Sequence, residues 1–326
     1  MKFFLKDLLR RVLYVVLRIS HVQGEKRNII LFSTRRGGST LFSQLIAISD
    51  SNLRYYDHLF SSYQTDFYSR RFFNPERNNQ EIYLTNDNQK YFELVNTGKH
   101  ISRTVCNPFS QEFVRKSNRI LYKITEGKGL FDWFVNRKDV EVIYQVRHPI
   151  PTALSIMRLG WDLTLDAYLS NQKFIAEYLD EDKYNYCISI KNGEDLLSKY
   201  VLNWVLENLI PLKSQSLFTT FIISYEELLI NPKIHLLELC KRLDLDNHKA
   251  MYDMVKRPSR SSSFSSKETI QNMKELDVKN LIGSWKKDID DKTEKRLMNI
   301  LIKFEVDIYR FGDLSINKKY INHGTN

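Results

Sequence analysis

The chain has 326 residues, of which 42% are hydrophobic and 13% are aromatic, and this content excludes an intrinsically disordered protein. Its 11 glycines and 7 prolines exclude a collagen-like or low-complexity chain. Lys and Arg number 49 against 39 Asp and Glu, a net charge of +10. The charge predicts an anionic partner without choosing among nucleic acid, a membrane surface, a phosphorylated cofactor and a sulfated glycan.

Residues 1–25 are predicted to form a basic amphipathic helix. Its apolar run, 12–17, is much shorter than the roughly 20 residues that span a bilayer. At helical spacing one side of the segment is apolar and carries Phe4, Leu8, Val12, Val15 and Ile19. Residues 1–20 therefore either contact an anionic membrane surface peripherally or pack on their own domain. Without a spanning segment or a signal-peptide cleavage site, the expected location is the cytoplasm.

Residues 26–326 are predicted to form a single domain of alternating strands and helices. Apolar runs predict strands at 28–33, 119–125, 140–146 and 218–225. Helical patterns begin near residue 39 and cover 163–213, 232–243 and 292–308. This alternation predicts an α/β fold of three layers, with a central parallel sheet flanked by helices. The aromatic-rich stretch 55–92 shows weak periodicity and receives no assignment.

The segment between the first strand and the first following helix predicts an anion site. Gly37 and Gly38 permit a tight loop that opens onto a helix N-terminus, where free N–H groups favour phosphate or sulfate. Ser39 and Thr40 add hydroxyl groups that can cap this helix, and Arg36 adds a positive charge. A Walker A loop requires Lys where Gly38 stands, which disfavours a standard NTPase.

A second basic residue follows the strand 140–146. Arg147 stands at the carboxyl end of that strand, where ligands bind in open parallel sheets, and Arg suits bidentate contact with phosphate. A His-Pro pair then precedes a predicted helix that carries Ser155.

Four segments in order along the chain resemble the sulfotransferases that use 3′-phosphoadenosine 5′-phosphosulfate (PAPS). The segment 36–40, RGGST, resembles the loop that holds the 5′-phosphosulfate in that family. Arg147 and Ser155 match the pair that binds the 3′-phosphate, and Tyr225 in ISYEELLINP matches a Tyr that lies against the nucleotide. The segment GSWKK, 283–287, matches a motif before the last helix. The loop departs from the family where Gly37 replaces Ser or Thr, so one hydroxyl contact is missing.

The resemblance implies a P-loop-like fold and transfer of a sulfuryl group from PAPS, as co-substrate, to an acceptor hydroxyl, with no metal. The product nucleotide is 3′-phosphoadenosine 5′-phosphate (PAP). Arg36 and the segment YYDHLF, 55–60, are closer to the branch that acts on carbohydrates and glycolipids, so a glycan or glycolipid acceptor is expected. Phe264 resembles a residue that covers the adenine, and Arg257 and Arg260 are further candidates for the 3′-phosphate. Trp285 is predicted to pack.

The reaction of the family is an in-line displacement. Arg36 and the N–H groups of the glycine loop are expected to stabilise the developing charge. Asp57 and His58 are the candidates for the general base: the resemblance favours Asp57, whereas the ordinary pKa of histidine favours His58. Lys123, at the end of a predicted strand, is a candidate for contact with the sulfuryl group or the acceptor.

Two alternatives remain at this stage. The first is a P-loop kinase or phosphotransferase, against which the missing Walker Lys and the Arg147–Ser155 pair argue. The second is an inactive relative that binds PAP or nucleic acid. The sequence contains no recognised nucleic-acid-binding motif, so only the charge of +10 supports nucleic acid.

Overall fold

The computed structural model describes residues 2–60, 82–83, 86–102, 104–255, 257, 267–275 and 277–321. Its centre is a sheet of five strands, which are β1 Asn28–Phe32, β2 Leu53–Tyr56, β3 Arg119–Ile124, β4 Val140–Val146 and β5 Phe221–Ser224. The strand order is β2-β3-β1-β4-β5, and every pair is parallel. The strand β1 lies in the middle, so the chain that leaves its carboxyl end is flanked by the ends of β3 and β4.

Helices cover both faces of the sheet, because each strand buries alternate side chains on opposite sides. Ile30 and Phe32 belong to one apolar core, and Ile29 and Leu31 belong to the other; all four are fully buried. The predicted three-layer α/β fold is therefore confirmed. The helices are α1 Lys2–Ile19, α2 Ser39–Ser49, α3 Asn86–Asn96, α4 Phe131–Val135, α5 Pro149–Arg158, α6 Leu165–Leu169, α7 Gln172–Tyr178, α8 Glu181–Asn192, α9 Leu196–Lys213, α10 Tyr225–Ile230, α11 Pro232–Leu243, α12 His248–Val255, α13 Lys267–Glu275, α14 Val278–Gly283 and α15 Asp291–Lys303.

The predicted N-terminal helix, 1–25, ends at Ile19, and the helices α3, α4, α10 and α12 to α14 were not predicted. Four further differences concern the sheet and the longer helices. The strand β2 was not predicted, and it lies at one edge of the sheet. The predicted helical region 163–213 consists of four helices, α6 to α9. The predicted strand 218–225 is shorter, because a 3-10 turn occupies Gln215–Thr219 and Tyr225 begins a helix. The last predicted helix, 292–308, ends at Lys303.

The N-terminal helix α1 ends at Ile19, and the chain then runs along the edge of the sheet. Within the described part of the chain, no helix combines the length and the apolar character that crossing a membrane requires. The backbone of His21 pairs with Ser117 as an isolated parallel bridge, and the His21 ring lies 2.8 Å from the Ser117 hydroxyl. These contacts fix the carboxyl end of α1 to the segment that leads into β3.

Candidate functional site

The carboxyl ends of all five strands meet at one edge of the sheet, as parallel pairing requires. The candidate site residues follow these ends directly. The loop 33–38 follows β1, and the following residues lie at or just beyond the ends of the other strands: Asp57 and His58 after β2, Lys123 and Thr125 at β3, Arg147 after β4, and Tyr225 after β5. The fold thus brings together residues that are far apart in the sequence.

The glycine loop closes tightly because two of its residues have no side chain. Gly38 has φ 96°, a left-handed conformation, and a Cβ there would lie 2.6 Å from Cδ2 of Tyr225. A Cβ on Gly37 would lie 2.8 Å from the carbonyl oxygen of Thr34. Gly38 itself is the residue at the N-cap of α2, so the expectation that a hydroxyl of Ser39 or Thr40 caps the helix is wrong. Both residues lie in the first turn instead.

The side chain of Gln145 holds the loop from the neighbouring strand. Its amide nitrogen donates to the Gly37 carbonyl at 2.6 Å, and its amide oxygen accepts a hydrogen bond from the Ser33 hydroxyl. Gln145 is fully buried in β4, beside β1. Sequence reasoning missed this residue, although an amide near the carboxyl end of the mostly apolar run VEVIYQV was a signal for it.

Two guanidinium groups, called the arginine pair, lie beside the glycine loop. Arg36 Nε donates to the Ser155 hydroxyl at 3.0 Å, and Arg147 Nη1 donates to the Arg36 carbonyl at 3.0 Å. The Arg147 guanidinium also lies over the Tyr225 ring, 4.4 Å from its centroid. Burial lowers the pKa of Arg36, and the positive charge of Arg147 lowers it further. An anion between these charges would relieve their repulsion.

A buried group of side chains sets the position of Arg147. The backbone N–H of His148 donates to Glu226 at 2.9 Å, and the other carboxyl oxygen of Glu226 accepts from the Tyr309 hydroxyl at 2.8 Å. Trp285 is 3% exposed and stacks on the His148 ring at 4.9 Å, which confirms its predicted packing role. Burial lowers the pKa of His148 to about 3 and raises that of Glu226.

A second group, called the Asp57 cluster, consists of Asp57, His58, Lys123 and Thr125. Lys123 Nζ lies 2.5 Å from Asp57 Oδ1 and 3.4 Å from the hydroxyl of Thr40 in the first turn of α2. His58 Nε2 lies 3.2 Å from the same Asp57 oxygen, and His58 Nδ1 lies 2.8 Å from the Thr125 hydroxyl. Both base candidates therefore lie together, and Lys123 joins them to the glycine loop.

The environment of His58 keeps its ring neutral. Burial lowers the pKa of His58 to about 4, and the ammonium group of Lys123 acts in the same direction, while the Asp57 carboxylate opposes them. The residue has φ 51°, which turns the chain sharply after Asp57. A neutral ring that donates from Nε2 to Asp57 can accept a hydrogen bond from the Thr125 hydroxyl at Nδ1. His58 is thereby oriented on both sides.

A buried polar network that was not predicted lies at the start of the loop. Lys128 Nζ donates to the Thr34 hydroxyl at 2.9 Å and to Asn208 Oδ1 at 3.0 Å. The Tyr144 hydroxyl donates to the same Asn208 oxygen at 2.7 Å. Burial lowers the pKa of Lys128 to about 8, against the opposing effect of Glu207. The network ties the loop to β4 and to α9.

Three further residues were expected near the nucleotide, and two of them cannot be placed from the described part of the chain. Phe264 and Arg260 lie outside the described residues. Arg257 is described and exposed, and its backbone N–H donates to the Met254 carbonyl at the end of α12.

The donors at the site fit a phosphate or sulfate group. The arginine pair, the Ser155 hydroxyl and the first N–H groups of α2 are all hydrogen-bond donors near the glycine loop. Within the described residues, Arg147 Nε is buried without a hydrogen-bond partner. A buried, unsatisfied guanidinium N–H is costly, and an oxygen of a bound anion would satisfy it. The residues present therefore suit a ligand with more than one anionic group.

Comparison with known proteins gives only remote similarities. No protein-family model and no curated protein matches the chain. Among solved structures, mouse sulfotransferase SULT7A1 complexed with PAP shares 16% identity over 89% of this chain and 88% of its own, with a TM-score of 0.39. The sulfotransferase domain of the Synechococcus PCC 7002 olefin synthase shares 15% over 89% and 98%, with a TM-score of 0.44. A retinol dehydratase in complex with androsterone and PAP shares 13% over 87% and 82%, with a TM-score of 0.36. Similarities this low transfer no activity, so function has to be inferred from the site itself.

Proposed function

We propose that this protein is a PAPS-dependent sulfotransferase that transfers a sulfuryl group to a hydroxyl of a carbohydrate or glycolipid. The observation that carries the proposal is the arginine pair beside a glycine loop at a helix N-terminus. Arg36 donates to the Ser155 hydroxyl at 3.0 Å, and Arg147 donates to the Arg36 carbonyl in the loop at 3.0 Å. Two cations and a row of N–H donors match a nucleotide that carries a 3′-phosphate and a 5′-phosphosulfate.

The proposed roles combine the resemblance to the sulfotransferases with the positions of the side chains. Arg147 and Ser155 contact the 3′-phosphate, and Tyr225 lies against the nucleotide. Arg36 extends from the loop to Ser155, so its charge lies between the two ends of the nucleotide and stabilises the leaving phosphate. The N–H groups of the first turn of α2 and the ammonium of Lys123 face the sulfuryl group.

In the proposed reaction the acceptor oxygen forms a bond to sulfur, while the bond from sulfur to the 5′-phosphate oxygen breaks. Its electron pair leaves with PAP. The acceptor proton passes to Asp57 and then to solvent. Protonating His58 instead would place a second positive charge beside Lys123, which already lowers the pKa of His58. We therefore assign proton acceptance to Asp57 and its orientation to His58.

Support for a sugar acceptor comes from the exposure of the Asp57 cluster. The side chains of Asp57 and His58 are 37% and 40% exposed, although Lys123 beside them is only 1% exposed. A polar base that is open to solvent on one side suits a bulky, hydroxyl-rich acceptor. The Arg at position 36 and the segment 55–60 support the same branch through the resemblance.

The conformation of Gly38 argues against the alternative of a P-loop kinase. A Walker A lysine would stand at this position, where any Cβ lies 2.6 Å from the Tyr225 ring. Lysine could be accommodated there only if Tyr225 moved away from the loop.

The proposal is tested by thermal unfolding of the full chain with PAP and with ADP, each with and without Mg²⁺. We expect PAP alone to raise the melting temperature by several degrees at about 100 times its dissociation constant. The shift should fall to about half or less in Arg147→Ala at the same PAP concentration and persist in Arg158→Ala, which removes an exposed arginine from the same region. Stabilisation by ADP and Mg²⁺ in preference to PAP would contradict the proposal and favour a kinase.

The acceptor is tested separately, by incubating the protein with PAPS and a panel of hydroxyl compounds. Release of PAP together with a sulfated sugar or glycolipid is the expected result. Sulfation of phenols or steroids alone would support sulfotransferase activity but contradict the proposed carbohydrate or glycolipid acceptor.

A further inference from the structure

The N-terminal helix α1 carries a row of exposed apolar side chains. Leu8, Val12, Val15 and Ile19 recur at helical spacing on one side and are 47%, 55%, 51% and 72% exposed. Leu9, beside this row, is 60% exposed. We call these five side chains the apolar row. Nothing in the described part of the chain covers it.

The helix cannot turn this row inward without losing its own attachment. Leu17 lies on the side of the helix opposite Leu8, 180° around the axis at 100° per residue, and it is fully buried. Arg54 donates to the Leu17 carbonyl at 2.8 Å, and the Ser20 hydroxyl donates to the Arg115 carbonyl at 2.6 Å. These bonds hold one side of α1 on the protein, so the opposite side stays exposed.

The surroundings of the apolar row are positively charged. Arg11 and Arg18 lie beside the row on one flank and are exposed, and α1 contains one acidic residue, Asp7, against five basic ones. Apolar side chains on one side of a helix with cations around them match the boundary between acyl chains and anionic headgroups.

We propose that α1 lies in the surface of an anionic lipid bilayer, with the apolar row inserted and the arginines at the lipid phosphates. A second copy of this chain is a poorer occupant. It would bring the same excess of positive charge to the interface, where α1 has one acidic residue, Asp7, against five basic ones. The inference does not rest on the proposed transferase activity, although a membrane location would suit a glycolipid acceptor.

Co-sedimentation of the full chain with vesicles tests the proposal. We expect binding to phosphatidylcholine vesicles that contain phosphatidylglycerol at about one lipid in three, and weak binding to phosphatidylcholine alone. Val12→Asp/Val15→Asp should lower the binding constant at least 10-fold. Arg11→Gln/Arg18→Gln should lower it about 10- to 30-fold, because each arginine contributes about 1 kcal/mol near an anionic surface.

A matched control changes two equally exposed apolar residues elsewhere. Ile234 and Leu237 on α11 are 56% and 53% exposed, and Ile234→Asp/Leu237→Asp should bind vesicles as the wild type does. All variants should keep the thermal shift with PAP, which separates this test from the test of the proposed function. Equal vesicle binding by wild type and Val12→Asp/Val15→Asp would overturn the proposal.

A second measurement reports insertion directly. The three native cysteines are buried, so a cysteine introduced at Val12 can be labelled selectively with an environment-sensitive fluorophore. We expect a blue shift on addition of anionic vesicles for Val12→Cys and none for Ile234→Cys. No shift at Val12 would overturn insertion, and a lipid-free dimer that Val12→Asp/Val15→Asp dissociates would assign the apolar row to a protein interface instead.

Discussion

Replacing Gly38 by alanine should destabilise the fold more than the same change at Gly160 or Gly312. These two glycines are also left-handed, but a Cβ there would meet nothing within 4 Å. Gly38 has φ 96°, and an alanine in a left-handed conformation costs about 1 kcal/mol. The new Cβ would also lie 2.6 Å from Cδ2 of Tyr225, and such overpacking adds about 1–3 kcal/mol. Gly38→Ala should therefore lower the free energy of unfolding by about 2–4 kcal/mol. The glycine loop should distort, and the affinity for PAP should fall.

Gly160→Ala separates the two contributions. Gly160 has φ 62°, and a Cβ there meets nothing within 4 Å, so only the conformational cost of about 1 kcal/mol applies. Urea unfolding, followed by tryptophan fluorescence, measures the free energy of unfolding of both variants. Titration with PAP measures how far distortion of the loop lowers the affinity. Gly38→Ala in a Tyr225→Ala background should recover the steric part, giving a coupling of at least about 1 kcal/mol. Equal destabilisation by Gly38→Ala and Gly160→Ala would refute close packing of Tyr225 on the loop.

Three further predictions concern the charged groups of the site. Arg147→Ala should weaken PAP binding at least 10-fold by equilibrium titration, because it removes one of two cations, whereas Arg158→Ala should bind normally. Asp57→Asn should lower turnover at least 100-fold with PAP affinity nearly unchanged, and near-normal turnover would transfer the base role to His58. His148 is neutral when folded, since burial lowers its pKa to about 3, but protonates near pH 6.5 when unfolded. It therefore stabilises the fold fully above pH 6.5 and progressively less as pH falls. His148→Asn should reduce the slope of unfolding free energy against pH by about 1.4 kcal/mol per unit between pH 6 and 5, and an unchanged slope would contradict the assignment.

The sheet could be predicted largely from the sequence because its strands are buried on both faces and appear as continuous apolar runs. The prediction 140–146 has the same bounds as β4. The strand β2 escaped prediction because it has only four residues and includes Arg54. That guanidinium is buried only because carbonyl groups of Leu17 and Arg115 accept from it, and neither partner is apparent locally.

The arginine pair was accessible from sequence because each member follows a recognisable strand and loop. The ion pair of Asp57 with Lys123 was not, because it depends on the pairing of β2 with β3. Gln145 could have been singled out as the one amide in an apolar strand. Lys128 and Asn208 could not, because they meet only when α9 packs over the loop.

The central position of β1 has a consequence for how the protein folds. Ser33 meets Gln145 across 112 positions of sequence, and Arg36 meets Ser155 across 119. Pairings of such long range close slowly, and during synthesis they must wait for the later segment to emerge. A nascent chain that ends before β4 contains the whole glycine loop but none of its contacts with Gln145, Ser155 or Tyr225. The loop therefore acquires the contacts on which the proposed nucleotide site depends only after about two thirds of the chain has been made.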